Sequence, residues 1–144
     1  LCLVAVGFWL HRRRLDQPVK IKEPSLPSHE VAYANLERIK VSGWIETGQF
    51  KTYYTKLSLV IRRYLEDRYQ INVMELPTSD LVDCLREENT PKLIRGQIQN
   101  FLERSDVVKF SELCPNKVEA HQLMTDARKI IGLTQPRLIS KTTD

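Results

Sequence analysis

The sequence predicts an all-α fold, a compact bundle of about five helices behind the end of a transmembrane helix. Three features lead there. Apolar residues recur at i, i+3, i+4 and i+7 through much of the chain, most regularly over residues 49–70. No segment alternates apolar and polar residues convincingly; residues 107–110 come nearest and are too short to build a sheet. Residues 1–10 carry no charge and then give way abruptly to His11, Arg12, Arg13 and Arg14.

Basic residues are retained on the cytoplasmic side of a membrane, so an apolar run that stops at clustered arginines marks a helix leaving the bilayer there. Ten residues cover roughly 15 Å of a hydrocarbon core about 30 Å thick, so residues 1–10 are expected to be the last half of a span. A signal peptide would carry its charges ahead of the apolar stretch. His11, Arg12, Arg13 and Arg14 have two uses at a membrane surface. They fix the side on which the chain emerges, and each arginine attracts anionic headgroups by about 1 kcal/mol. This divides the chain into a membrane-proximal part (1–14), a linker (15–27), a helical domain (28–134) and a polar tail (135–144). Pro18, Pro24 and Pro27 exclude a helix from the linker.

The first helix is expected over 29–41, with Ser28 as N-cap and Ala32, Leu36 and Ile39 as its apolar stripe. Gly43 lies past its end, and Trp44 and Ile45 in the short connection are expected to pack on the core. The second and longest helix, 49–70, turns Phe50, Tyr54, Leu57, Ile61, Tyr64 and Leu65 inward. It leaves Lys51, Lys56, Arg62, Arg63, Glu66 and Asp67 outside. Residues 71–77 bring Val73, Met74 and Leu76 back to the core. Thr78 or Ser79 caps a third helix that ends near Glu88, with Leu81, Val82 and Leu85 inward. Thr90 followed by Pro91 starts the fourth, with proline in the first helical position and Leu93, Ile94, Ile98, Phe101 and Leu102 inward as far as about Ser105. Asn116 and Glu119 form a capping box for the fifth, whose stripe is Ala120, Leu123, Met124, Ala127, Ile130 and Ile131; Gly132 ends it and Pro136 forbids its continuation.

Hydrophobic residues make up 42% of the chain and charged ones 28%, the composition of a foldable domain. The net charge is +4, of which Arg12, Arg13 and Arg14 supply three, so the basic balance is weak support for nucleic-acid binding. Cys2, Cys84 and Cys114 have no metal-binding spacing and read as reduced, mostly buried thiols. The glycines are scattered, so no phosphate-cradling loop exists, and no histidine has a second ligand at i+3 or i+4. No catalytic residue, metal or cofactor is assigned, and the expected function is non-enzymatic.

Candidate contacts with a protein partner are Lys56, Arg62, Arg63 and Asp67 on the second helix, with Asp106 and Lys109 at the junction behind the fourth. Arg63 and Asp67 are four residues apart and are expected to neighbour each other on a solvated face, a pairing worth about 0.3–0.5 kcal/mol. The alternative is a membrane-tethered helix-turn-helix-like DNA binder. Helices three and four would form its reading unit, with Lys92, Arg95, Gln99 and Asn100 outward. Against it stand the near-neutral domain and the carboxylates of Glu87, Glu88 and Glu103 beside that surface.

Several stretches carry a resemblance. Trp44 and Ile45 are followed by the run Gly48, Gln49, Phe50, Lys51. Next come Tyr53, Tyr54, Thr55, Lys56, Leu57, Ser58 and then Ile61, Arg62, Arg63, Tyr64, Leu65, Glu66. Glu75, Leu76, Pro77, Thr78 follow, and last Ser105, Asp106, Val107, Val108, Lys109, Phe110. In this order they resemble the cytoplasmic C-terminal region of bacterial membrane-anchored BatD-like proteins of the aerotolerance (Bat) operon, over about residues 1–136. The resemblance implies a single-pass protein of the bacterial inner membrane with residues 11–144 facing the cytoplasm. It also implies a MoxR-type AAA+ ATPase or a von Willebrand A protein as partner, and a role in envelope complex assembly or stress tolerance. It carries over no catalytic residue. Cys114 departs from the pattern, standing where a basic or aromatic residue is expected before the proline.

Overall fold

A computed structural model describes residues 26–137. Five helices follow one another: α1 (Ser28–Lys40), α2 (Phe50–Tyr69), α3 (Thr78–Glu87), α4 (Lys92–Phe110) and α5 (Lys117–Thr134). No strand occurs among the described residues. Residues 1–10, the basic group His11, Arg12, Arg13 and Arg14, Cys2 and nearly all of the linker lie outside them. Among the described residues no helix is long and apolar enough to cross a membrane.

The bundle is built around α2. Its apolar residues fall on more than one side of the helix, so it packs against α1, α4 and α5 together, while α3 lies on α4. Tyr53, Leu57, Ile61, Tyr64 and Leu65 are at most 1% exposed. Around them close Leu36 of α1, Leu81 and Leu85 of α3, Ile98, Phe101 and Leu102 of α4, and Leu123, Ala127 and Ile131 of α5. Each such aliphatic or aromatic side chain stabilises the fold by about 1.5–3 kcal/mol relative to its exposed state. Two tyrosine hydroxyls in this core are satisfied by α5: Tyr53 Oη donates to the Ala120 carbonyl at 3.1 Å, and Tyr64 Oη lies 2.9 Å from Thr134 Oγ1. The connection between α1 and α2 folds Ile45 into the core and Trp44 against it. Gly43 and Gly48 bracket it with φ of 75° and 72°, a region that favours glycine.

Helix starts depart from the expected caps. Pro27, Pro77 and Pro91 are themselves the N-caps of α1, α3 and α4, each with ψ between 141° and 153° and no side-chain cap. Ser28 and Thr78 are therefore first helical residues, and Pro91 stands one place earlier than expected. A proline there has no N–H to leave unsatisfied, and its extended ψ leads the chain into the first turn. The capping box of α5 forms as expected: Asn116 Oδ1 accepts from the Glu119 N–H at 2.8 Å, and Glu119 Oε2 accepts from the Asn116 N–H at 2.9 Å.

Two helices outrun their expected ends. α4 continues past Ser105 to Phe110, because Val108 still reaches the core; the buried Ser105 hydroxyl is satisfied by the Phe101 carbonyl one turn back. Asp106 and Lys109 therefore lie on the last turns of a helix, not in a junction. α5 runs through Gly132 to Thr134. Its end is set by Pro136, which forces Gln135 into the extended region at ψ 146°.

Candidate functional site

Of the six candidate contact residues, Arg62 moves furthest from its expected place. It is 7% exposed and turned inward. The connection 71–77 has one backbone bond of its own, from the Leu76 N–H to the Val73 carbonyl at 3.2 Å, so the Leu76 carbonyl still needs a donor. Arg62 Nη1 donates to the Leu76 carbonyl at 2.7 Å and to the Val73 carbonyl at 3.3 Å; Nη2 donates to Thr78 Oγ1 at 3.2 Å. One turn on, Glu66 Oε2 accepts from the N–H groups of Val73 and Met74 at 3.0 and 3.1 Å. The two residues clip the connection to α2 from its carbonyl and amide sides.

The network extends outward. Thr78 Oγ1 donates to Asp106 Oδ2 at 2.7 Å, and Asp106 Oδ1 lies 3.6 Å from Lys109 Nζ. Arg62, Asp106 and Lys109 are thus joined through Thr78, as internal bracing. Lys56 and Arg63 are exposed and Asp67 is half-buried. Arg63 pairs with Glu66 at 3.8 Å instead of with Asp67. The candidates do not converge on one surface. Cys84 is half-buried and Cys114 is exposed, which corrects the expectation that these thiols are mostly packed inside.

The open surface lies elsewhere. Leu93, Gln97, Asn100, Arg104 and Val107 recur every three or four residues and, with Gly96 beside them, form one row along α4. Val118, Gln122, Asp126, Lys129 and Ile130 form the facing row on α5. Between the rows run two adjoining hollows of about 890 and 650 Å³, which share Arg104 and Gln122. The trough spans roughly 21 Å along α4 between Leu93 and Val107 at 1.5 Å per residue. One end exposes Leu93 between Lys92 and Lys129, above the buried Ile130; the other exposes Val107, Leu113 and Val118. Leu93, Leu113 and Val118 are 75%, 64% and 78% exposed. Phe110, one turn beyond Val107, is 80% exposed.

Its middle is polar and fixed. Arg104 Nη1 donates to Asp126 Oδ2 at 2.7 Å across the trough and to Asn100 Oδ1 at 3.3 Å, and Gln122 Nε2 donates to Asp126 Oδ1 at 3.0 Å. Tyr54 lies beneath the second hollow. Burial raises its hydroxyl pKa, the Glu119 carboxylate raises it further, and Arg104 opposes both. That hydroxyl therefore stays protonated and neutral at physiological pH.

Leu93 was expected inside. It adjoins Ile94, which stands one turn before Ile98 and two before Phe101 and Leu102, whereas Leu93 falls about 100° further round the helix, off that face. The register selects Ile94, which leaves Leu93 at the head of an otherwise polar row. That displacement is the readable signal of the trough. The residues of the DNA-reading alternative are largely engaged with neighbours. Arg95 donates to the Thr90 carbonyl at 2.9 Å, Gln99 to Glu103 at 2.8 Å, and Asn100 accepts from Arg104. Among the described residues no group of three His, Cys, Asp or Glu side chains is placed to hold a metal. Comparison of the chain with protein-family models, with curated proteins and with solved structures finds no match.

Proposed function

We propose that this chain is a membrane-anchored, cytoplasmic protein-interaction module of a bacterium, without catalytic activity, that docks a protein partner through the α4–α5 trough. One observation carries the reading. Two helical rows face each other across an open trough that exposes Leu93 at one end and Val107, Leu113 and Val118 at the other. Exposed apolar side chains grouped along one trough mark an interaction site, and a trough between helices is a recurrent seat for an amphipathic helix. The BatD-like resemblance supports a MoxR-type AAA+ ATPase or a von Willebrand A protein as the partner, in envelope complex assembly or stress tolerance. The clustered arginines after residues 1–10 support attachment to the inner membrane. An anchor restricts the search for the partner to a thin layer and raises its effective concentration.

The test uses the full chain in membranes as bait against the ATPase and the von Willebrand A protein of the same bacterium. The expected result is recovery of one of them near stoichiometry, lost in Val107→Glu/Val118→Glu and kept in Val41→Glu, an exposed valine away from the trough. Recovery of neither, or equal recovery by all three chains, overturns the reading.

A further inference from the structure

We infer that the occupant of the trough is an amphipathic helix of about four turns whose first turns carry carboxylates, seated with its acidic end at Leu93 and its apolar end at Val118. The inference rests on the docking function proposed above and names the chemistry of the partner segment. Its basis is the charge at the two ends. Lys92 and Lys129 are exposed at the Leu93 end, and neither has a carboxylate partner among the described residues. The one carboxylate lining that end, Asp126, is taken by Arg104 and Gln122. No acidic side chain stands in the first turn of α4, whose opening residue is Lys92, although an acid there would be favourable. The mouth thus holds two cations and an exposed leucine with nothing in the bundle to answer them.

At the other end no lysine lines the trough; its Glu119 is taken by the capping box, and Val107, Leu113 and Val118 are the exposed apolar side chains. The lysines lie only at the Leu93 end, so the occupant's carboxylates belong there and its other end meets the exposed valines and leucine. A helix also prefers carboxylates in its own first turns, so this grading and helical stability agree. At about 1.5 Å per residue the trough of roughly 21 Å takes about 14 residues. A basic or uncharged segment would leave the lysines unanswered, and like charges facing each other would weaken it.

The probes are two labelled synthetic peptides with one leucine stripe, differing only in glutamates or lysines over the first two turns. Anisotropy is read with the 144-residue chain. The glutamate peptide is expected to bind roughly tenfold tighter at low salt, with the difference shrinking as salt rises. Lys92→Glu/Lys129→Glu, two exposed positions, is expected to invert the preference, and Leu93→Ser/Val118→Ser to weaken both peptides. Equal binding of the two peptides, or a preference untouched by the lysine reversal, overturns the acidic assignment. If both bind equally and both are lost with Leu93→Ser/Val118→Ser, docking in the trough stands and only the acidic assignment fails. Failure of both peptides to bind overturns the inference, and self-association of the chain through these residues assigns the trough to a second copy instead.

Discussion

Arg62 Nη1 sits 2.7 Å from the carbonyl oxygen of Leu76, a buried guanidinium holding a connection that has no regular structure of its own. Arg62→Met keeps the aliphatic stem but leaves the Leu76 carbonyl without a donor, while the Val73 carbonyl keeps only the Leu76 N–H at 3.2 Å. Hydrogen bonds from a charged donor contribute about 1.5–3 kcal/mol, and an orphaned buried acceptor adds to the loss. The expected destabilisation is about 2–4 kcal/mol in urea unfolding, with Arg62→Lys intermediate. A loss below about 0.5 kcal/mol, the range of an ordinary surface substitution, would show that the clip is ornamental.

The last turn of α5 is held to α2 by a second polar cluster. Tyr64 Oη meets Thr134 Oγ1 at 2.9 Å, and Arg68 Nε donates to the Thr134 carbonyl at 2.8 Å. Tyr64→Phe and Thr134→Val should each destabilise by about 1 kcal/mol. Because both remove one shared bond, the double variant should lose about 0.5–1 kcal/mol less than the sum. Strict additivity in that cycle would contradict the contact.

Alkali should loosen the core at its tyrosines. Burial foremost, then Tyr54 and Glu46, raises the Tyr53 pKa from 10.0 to about 12, and burial also raises Tyr64. Above pH about 10 the unfolded chain releases these protons while the native one keeps them. Stability is therefore fully present below pH about 10 and falls between about 10 and about 12. Tyr53→Phe should be less stable at neutral pH, having lost its bond to Ala120, yet show a shallower decline over that window. An unchanged slope would count against the assignment.

Gly96 lies inside α4, and a Cβ there would meet nothing within 4 Å. Gly96→Ala should stabilise the helix by about 0.5–1 kcal/mol and raise the melting temperature by a few degrees. The same methyl group would stand in the trough, so the glutamate peptide should bind more weakly to the more stable protein. Stabilisation with unchanged binding would place the occupant elsewhere.

The helices were legible because their apolar residues recur at helical spacing, and Tyr53, Leu57, Ile61 and Leu123 are buried as that spacing requires. Arg62 was not. A charged residue flanked by Arg63 reads as solvated, and its burial follows only once the 71–77 connection has folded over it and its carbonyls require donors. The extension of α4 was hidden for a related reason: Val107, Val108 and Phe110 favour strands, and that preference is overruled when Val108 finds the core. The trough could be inferred only in outline, from Leu93 falling in a row of polar residues.

The meeting of α1 and α5 has a mechanical consequence. A methyl group on Gly132 would lie 3.6 Å from Tyr33 Oη, and farther along the same pair of helices Glu37 bridges to Arg128. The outer ends of the first and last helices therefore share one pole of the bundle. Tension applied through both would load that seam first, parting it stepwise from Tyr33 towards Glu37 like a zipper while α2, α3 and α4 stay slack.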